Sequence, residues 1–197
     1  MNTEALVLGV IGSGKGSNFA AILREIEAGR LAARVGVVVS DVEDAGILQL
    51  AREHGAPAVF LPPGRFKTRL EPGHEERLVG ILRDHGVELV VLAGFMRLLK
   101  EPMVEGFPRR IVNIHPSLLP AFPGLAAWRQ ALAAGVSEAG CTIHYVDLGM
   151  DTGAQIAQAK VPVLTGDTPE TLHARIQEAE HTLYPRVIAR FATGELP

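Results

Sequence analysis

The sequence predicts a doubly wound α/β fold: a mostly parallel sheet, an antiparallel pair of C-terminal strands and a long C-terminal helix. Three features predict it. Apolar runs of strand length alternate with stretches whose apolar residues recur at helical spacing. The runs are valine-rich and do not alternate apolar with polar, as expected of parallel strands covered on both faces. The βα rhythm then stops near residue 116, where a proline-rich loop leads into a different pattern. Strands alternating with helices pair in parallel through right-handed crossovers.

Residues 5–12, "ALVLGVIG", form the first strand. Phe19, Ile22, Leu23 and Ile26 then mark one helical face. Ser17 or Asn18 is expected to cap that helix and Gly29 to end it. Residues 34–40 form a second strand, and Ile47, Leu50 and Ala51 face inward from a second helix closed by "EHG". Residues 57–61 form the third strand. Leu78, Ile81 and Leu82 line a third helix, which ends in "DHG". His54 and His85, each just before a glycine, suit the negative end of a helix dipole. Residues 87–95 and 110–116 supply strands four and five. After the loop "PSLLPAFPG", residues 125–135 form a helix ending at Gly135. Residues 141–148 and 154–164 follow as two strands, antiparallel around the turn 149–153. Thr168 as cap and Pro169 at the first helical position open the last helix. Leu172, Ile176, Ala179 and Leu183 form its apolar face, and a kink is expected before Pro185.

Composition narrows the function. The 197 residues are 47% hydrophobic, enough to build a substantial core. A net charge of -3 gives no electrostatic footprint for nucleic acid. The lone cysteine, Cys141, allows no internal disulfide and fits a reducing compartment. No apolar run reaches the about 20 residues of a membrane span. The N-terminus lacks the basic region and cleavage site of a secretory leader. A cytoplasmic protein is expected, without membrane or nucleic-acid partners.

Chemistry is concentrated in three stretches. "GVIGSGKGSN" resembles two phosphate-binding loops and fails each by one residue. The P-loop pattern meets Gly16 where a magnesium-binding hydroxyl is needed. The dinucleotide pattern meets Ser17 in place of its third glycine. A glycine loop before a helix start remains, suited to holding a phosphate without cleaving it. A tight βα turn is the plain alternative. In "NIHPS", Asn113 and His115 lie two apart on a strand, so their side chains share one face. An amide that donates to an oxyanion and an imidazole that moves a proton suit acyl transfer. The alternative is a strand-end pair bonded to backbone. In "DLGMDTG", Asp147 and Asp151 fit ordinary turn chemistry. Asp151 gains another role only if the fold brings it to His115. No metal site is expected, because Cys141 and His144 point to opposite faces of a strand.

Taken together, "GSGKGSN", "LAGFMRLL", "NIHPSLLPAFPG", "RQAL", "MDTGAQIAQAKVPV" and "AEHTLYP" resemble the phosphoribosylglycinamide formyltransferases, also called glycinamide ribonucleotide transformylases. The resemblance covers nearly the whole chain. It implies a single formyltransferase domain over 1–197, with a nucleotide-binding-like half (1–112) and a folate and catalytic half (113–197). It implies formyl transfer from 10-formyltetrahydrofolate to the amino group of glycinamide ribonucleotide, in de novo purine biosynthesis. Asn113, His115 and Asp151 are implied as catalytic. Gly16, Ser17, Asn18, Gln177 and Glu180 are implied for the ribonucleotide. Arg69, Met96, Arg97, Leu98 and Leu99 are implied for the folate, with Asn113 and the turn Asp147, Leu148, Gly149, Met150 and Asp151. Ala126 and Ala154 depart from the family pattern, which commonly has His and Pro there.

Two enzymes with the same catalytic core stand as rivals. Methionyl-tRNA formyltransferase carries a further C-terminal domain, and formyltetrahydrofolate deformylase carries an N-terminal regulatory domain and passes formyl to water. A noncatalytic folate- or nucleotide-binding module is a rival of another class. The chain is expected to be a monomer or a homodimer.

Overall fold

A seven-stranded sheet reverses its direction of winding one strand away from the strand that carries Asn113 and His115. The computed structural model describes residues 5–71 and 73–197. The first four residues of the N-terminal stretch read above lie outside them. The strands are β1 (Leu6–Ile11), β2 (Ala33–Ser40), β3 (Ala58–Phe60), β4 (Leu89–Leu92), β5 (Ile111–His115), β6 (Glu138–Tyr145) and β7 (Gln155–Pro162). Their order is β3-β2-β1-β4-β5-β6-β7. The first five run parallel; β6 is antiparallel to β5, and β7 to β6. Winding leaves β1 toward β2 and β3, then resumes on its other side at β4. Ligands of such sheets bind beyond the carboxyl ends of the strands at that switch.

The helices are α1 (Ser17–Glu27), α2 (Gly46–Glu53), α3 (His74–Asp84), α4 (Glu101–Gly106), α5 (Ala127–Ala133) and α6 (Pro169–Ala192). One core joins Leu8 and Val10 of β1, Val112 and Ile114 of β5 and Ile143 of β6 to Phe19, Ile47 and Ile176 of α1, α2 and α6. The other joins Ile11, Val37, Val90 and Ile111 to Leu78 and Leu82 of α3 and Met103 of α4. Each fully buried Leu, Ile or Phe contributes about 1.5–3 kcal/mol. Alternation along β5 follows. Val112 and Ile114 face the α6 layer, so Asn113 and His115 share the opposite face with Ile111.

Three local features differ from expectation. The cap of α1 is Gly16, with φ 82, and Ser17 is already helical. A Cβ at position 16 would sit 2.9 Å from Ile47 Cγ1, so glycine suits both the left-handed turn and the close approach. Helix α4 was not anticipated. Strand β6 begins three residues earlier than the expected 141. The final helix opens as expected: Thr168 and Thr171 form a reciprocal capping box, with Pro169 in the first turn. It runs as one helix through Pro185. The Tyr184 hydroxyl lies 3.0 Å from the carbonyl oxygens of Leu92 and Val112, tying α6 to β4 and β5.

Candidate active site

Asn113 and His115 project from the end of β5, and β6 pairs beside them in antiparallel register. Asn113 lies opposite His144, and His115 opposite Thr142. The turn between β6 and β7 folds back, so that Asp151 reaches both histidines. Asp151 Oδ2 lies 3.4 Å from His115 Nδ1, and Oδ1 lies 3.7 Å from His144 Nε2. These side chains are well shielded: His115 is 7% exposed, His144 3% and Asp151 13%. The carboxylate is therefore shared by His115 and His144, and Asn113 joins the group through His144.

Backbone groups hold the trio. His115 Nε2 lies 2.9 Å from the Phe122 carbonyl, and Asp151 Oδ2 accepts from the Gly124 amide at 2.8 Å. The loop 116–126 thus fixes both partners at once. An acceptor thus stands at each ring nitrogen of His115, which fixes the plane and direction of the ring. Asp151 has φ 57, a left-handed conformation that Asp adopts more readily than most residues. Gly153 makes the turn possible, because a Cβ there would lie 1.8 Å from the Tyr145 carbonyl oxygen. Asp147 braces the turn. Its Oδ1 accepts from the Gly149 amide at 3.0 Å and the Thr152 hydroxyl at 2.7 Å.

His144 is the member of the candidate site that the sequence did not reveal. Its Nδ1 lies 2.8 Å from the Tyr145 carbonyl, so Nδ1 carries a proton and donates. Nε2 then accepts from Asn113 Nδ2 at 3.1 Å. Burial lowers the His144 pKa below the ordinary 6.5, which favours this neutral ring. Cys141, its former metal-site companion, lies in the core beneath α6, and burial raises its thiol to about 12.

The glycine loop and α6 build a second region. At the start of α1, the first backbone N–H groups lack intrahelical partners, and the first helical bond is Ala20 N–H to the Gly16 carbonyl at 2.8 Å. Ser17 is exposed and Asn18 buried. Asn18 Nδ2 donates to Glu180 Oε2 at 2.9 Å, while Asn18 Oδ1 is buried without a partner. Burial raises the Glu180 pKa to about 7, against the smaller lowering by Asn18. Gln177 lies one turn before Glu180 on α6 and is partly buried.

The residues expected at the folate divide. Met96, Leu148 and Met150 are exposed apolar side chains, and Leu99 is buried. Arg69 and Leu98 pair as a short parallel bridge, and the Arg69 guanidinium lies 4.4 Å from the Phe66 ring centre. Arg97 turns inward: its Nε donates to Asp41 Oδ2 at 2.6 Å, and its Nη1 reaches the carbonyls of Phe66 and Lys67. Its Nε and Nη1 are thus engaged inside the protein. Ala126 caps α5 with φ 53, and the Ala154 carbonyl accepts from the Tyr145 amide at 2.9 Å. Among the described residues, no group of three or more His, Cys, Asp or Glu side chains is placed to hold a metal ion.

A family model described as formyl transferase matches residues 7–188. Phosphoribosylglycinamide formyltransferase from Bacillus subtilis is 42% identical over 179 residues, covering 91% of this chain and 91% of that protein. The chain belongs to the phosphoribosylglycinamide formyltransferase family. Glycinamide ribonucleotide transformylase 1 from Symbiobacterium toebii has the same fold, with a TM-score of 0.92 at 50% identity. That match covers 97% of this chain and 89% of the other. The trifunctional purine biosynthetic protein adenosine-3 of Drosophila pseudoobscura pseudoobscura is 45% identical over 189 residues. The match takes in 95% of this formyltransferase-family chain and spans 14% of that longer protein. No helix among the described residues is long and apolar enough to cross a membrane.

Proposed function

We propose that the chain transfers a formyl group from 10-formyltetrahydrofolate to the amino group of glycinamide ribonucleotide, in purine biosynthesis. Family membership supports the formyl transfer and the ribonucleotide acceptor. One observation carries the catalytic reading: Asp151, far along the chain, lies 3.4 Å from His115 Nδ1, and Asn113, two residues before His115 on the same face of β5, joins the group through His144.

The chemistry follows from those groups. The acceptor amine attacks the formyl carbon, and the carbonyl oxygen takes negative charge. In this reading the Asn113 amide and the His115 ring would stabilise it, the loss of one such donor costing about 2.7–4 kcal/mol. Asp151, 3.4 Å from Nδ1, orients the ring. The carbon–N10 bond of the folate then breaks, and the proton lost by the amine passes to N10 through His115 or a water. With Nε2–H held by Phe122, Nδ1 is the nitrogen that moves the proton. His144 orients the Asn113 amide by accepting one of its protons.

Gly16, Ser17 and Asn18 would hold the ribonucleotide phosphate at the positive end of α1. Glu180 and Gln177 would meet the rest of that substrate. The folate would lie against Met96, Leu98, Leu99, Leu148 and Met150, with Arg69 at the rim. Exposed apolar groups bordering a polar catalytic centre fit a flat ring ligand. The test follows 10-formyltetrahydrofolate with and without glycinamide ribonucleotide. Loss of the formyl group only with the amine supports the proposal. Loss to water alone would mark a deformylase, and binding without turnover a noncatalytic module.

A further inference from the structure

Four loops at the carboxyl ends of the strands are joined by three side chains that the catalytic reading leaves unused. Ser13, after β1, donates from its hydroxyl to Asp41 Oδ1 at 2.6 Å and accepts from the Met96 amide at 3.1 Å. Its own amide donates to the Gly94 carbonyl at 3.1 Å. Asp41, after β2, is 7% exposed and spends its other oxygen on Arg97 Nε at 2.6 Å. Arg97, after β4, is 14% exposed in its side chain and passes the link to the Phe66 and Lys67 carbonyls of the β3–α3 loop. The Leu98 amide closes it on the Thr68 carbonyl at 2.9 Å.

We propose that Ser13, Asp41 and Arg97 act as a positioning relay that fixes segment 94–99, on the folate side, to the glycine loop on the ribonucleotide side. Arg97 serves that segment from within and is not a ligand of the folate's carboxylates. The geometry supports this division of labour. A planar guanidinium with Nε on one carboxylate and Nη1 on two carbonyls is held in a fixed orientation. Its neutralising partner is the same carboxylate that holds Ser13, so loss of any one member loosens the others. The relay bears on catalysis through the proposed function, because Met96, Leu98 and Leu99 matter only if folate lies against them.

Two measurements on Ser13→Ala, Asp41→Asn and Arg97→Ala decide it. The first is amide hydrogen exchange of unliganded protein, which does not depend on the functional reading. Ser13→Ala keeps the Asp41–Arg97 pair and is the variant least prone to unfold. The relay predicts at least tenfold faster exchange at residues 94–99 in Ser13→Ala, with β4 and β5 unchanged. Unchanged exchange in that segment overturns it. The second compares binding of tetrahydrofolate with tetrahydropteroate, which lacks the glutamate. The relay predicts that Arg97→Ala weakens both ligands by the same factor, about tenfold, that Asp41→Asn follows in the same ratio, and that kcat at saturation changes less than threefold. A loss confined to the glutamate-bearing ligand makes Arg97 a direct ligand and overturns the relay. If the unaltered chain binds neither compound, the functional reading fails while hydrogen exchange still decides the relay.

Discussion

The Asn113 amide nitrogen lies 3.1 Å from His144 Nε2, across the antiparallel pairing of β5 and β6. Because His144 donates from Nδ1 to the Tyr145 carbonyl, it can only accept from Asn113. One N–H of the amide therefore serves His144, and under the proposed function the other would meet the reacting oxygen. An accepting imidazole of this kind is lost when it protonates.

Replacing His144 should expose that dependence. His144→Ala is expected to lower kcat about fivefold, the worth of one neutral hydrogen bond of ~1 kcal/mol. It should also change stability against pH. Burial lowers the His144 pKa, so the unfolded chain binds its proton first as pH falls below 6.5. Stability tied to His144 is whole above about pH 6.5 and is lost as pH falls toward the lowered value. Urea unfolding from pH 7.5 to 5 should show a flatter acid limb in the variant. An unaltered limb contradicts the neutral-ring assignment.

Asn113→Ala removes the donor itself. Turnover should fall by about 10²–10³, the cost of one oxyanion donor. The variant should keep its fold, since Asn113 is only partly buried. Circular dichroism and single-turnover formyl transfer check both halves of this statement. Near-normal turnover contradicts the oxyanion role.

Glu180 carries a pH effect of opposite sign. Its pKa rises from 4.5 to about 7, chiefly by burial. The folded chain holds this proton more tightly, so stability from Glu180 is present below about pH 4.5 and lost as pH rises through about 7. Up to ~3 kcal/mol is involved. Glu180→Gln keeps the shape and removes the charge. It should gain stability over the parent on going from pH 5 to pH 8.5, read by urea unfolding. A constant difference across that range contradicts the buried carboxyl's titration.

Gly153→Ala tests how the turn delivers Asp151. The added Cβ would overlap the Tyr145 carbonyl, so the backbone must shift. Stability should fall by about 1–3 kcal/mol, as for overpacking elsewhere. Turnover should fall with it, because Asp151 is two residues away. A stable, fully active variant would show that the turn does not place the carboxylate.

Much of the fold was legible because strand and helix periods differ. The valine-rich runs, the Gly29 and Gly135 stops and the Thr168–Pro169 start all mark real boundaries. Helix α4 was hidden because six residues around Pro102 carry no visible period. The cap at Gly16 was hidden because Ser17 and Asn18 are the better side-chain caps, and the close approach of Ile47 is a tertiary fact. At the site, Asn113 and His115 share a face by strand period alone. His144 was missed because its period was weighed only against Cys141. Placing it opposite Asn113 requires the β5–β6 register, which no local pattern carries. Arg97 could be placed on the right loop, but the direction of its guanidinium depends on Asp41, 56 residues away in sequence.

The most direct test of the account is single-turnover formyl transfer by Asp151→Asn, with glycinamide ribonucleotide and 10-formyltetrahydrofolate saturating. The substitution keeps the side chain's size and its acceptor toward Gly124, and removes only the charge beside His115. The account predicts a rate at least a hundredfold below the parent, with the fold intact. A rate within threefold of the parent would show that the carboxylate and the imidazole do not work together.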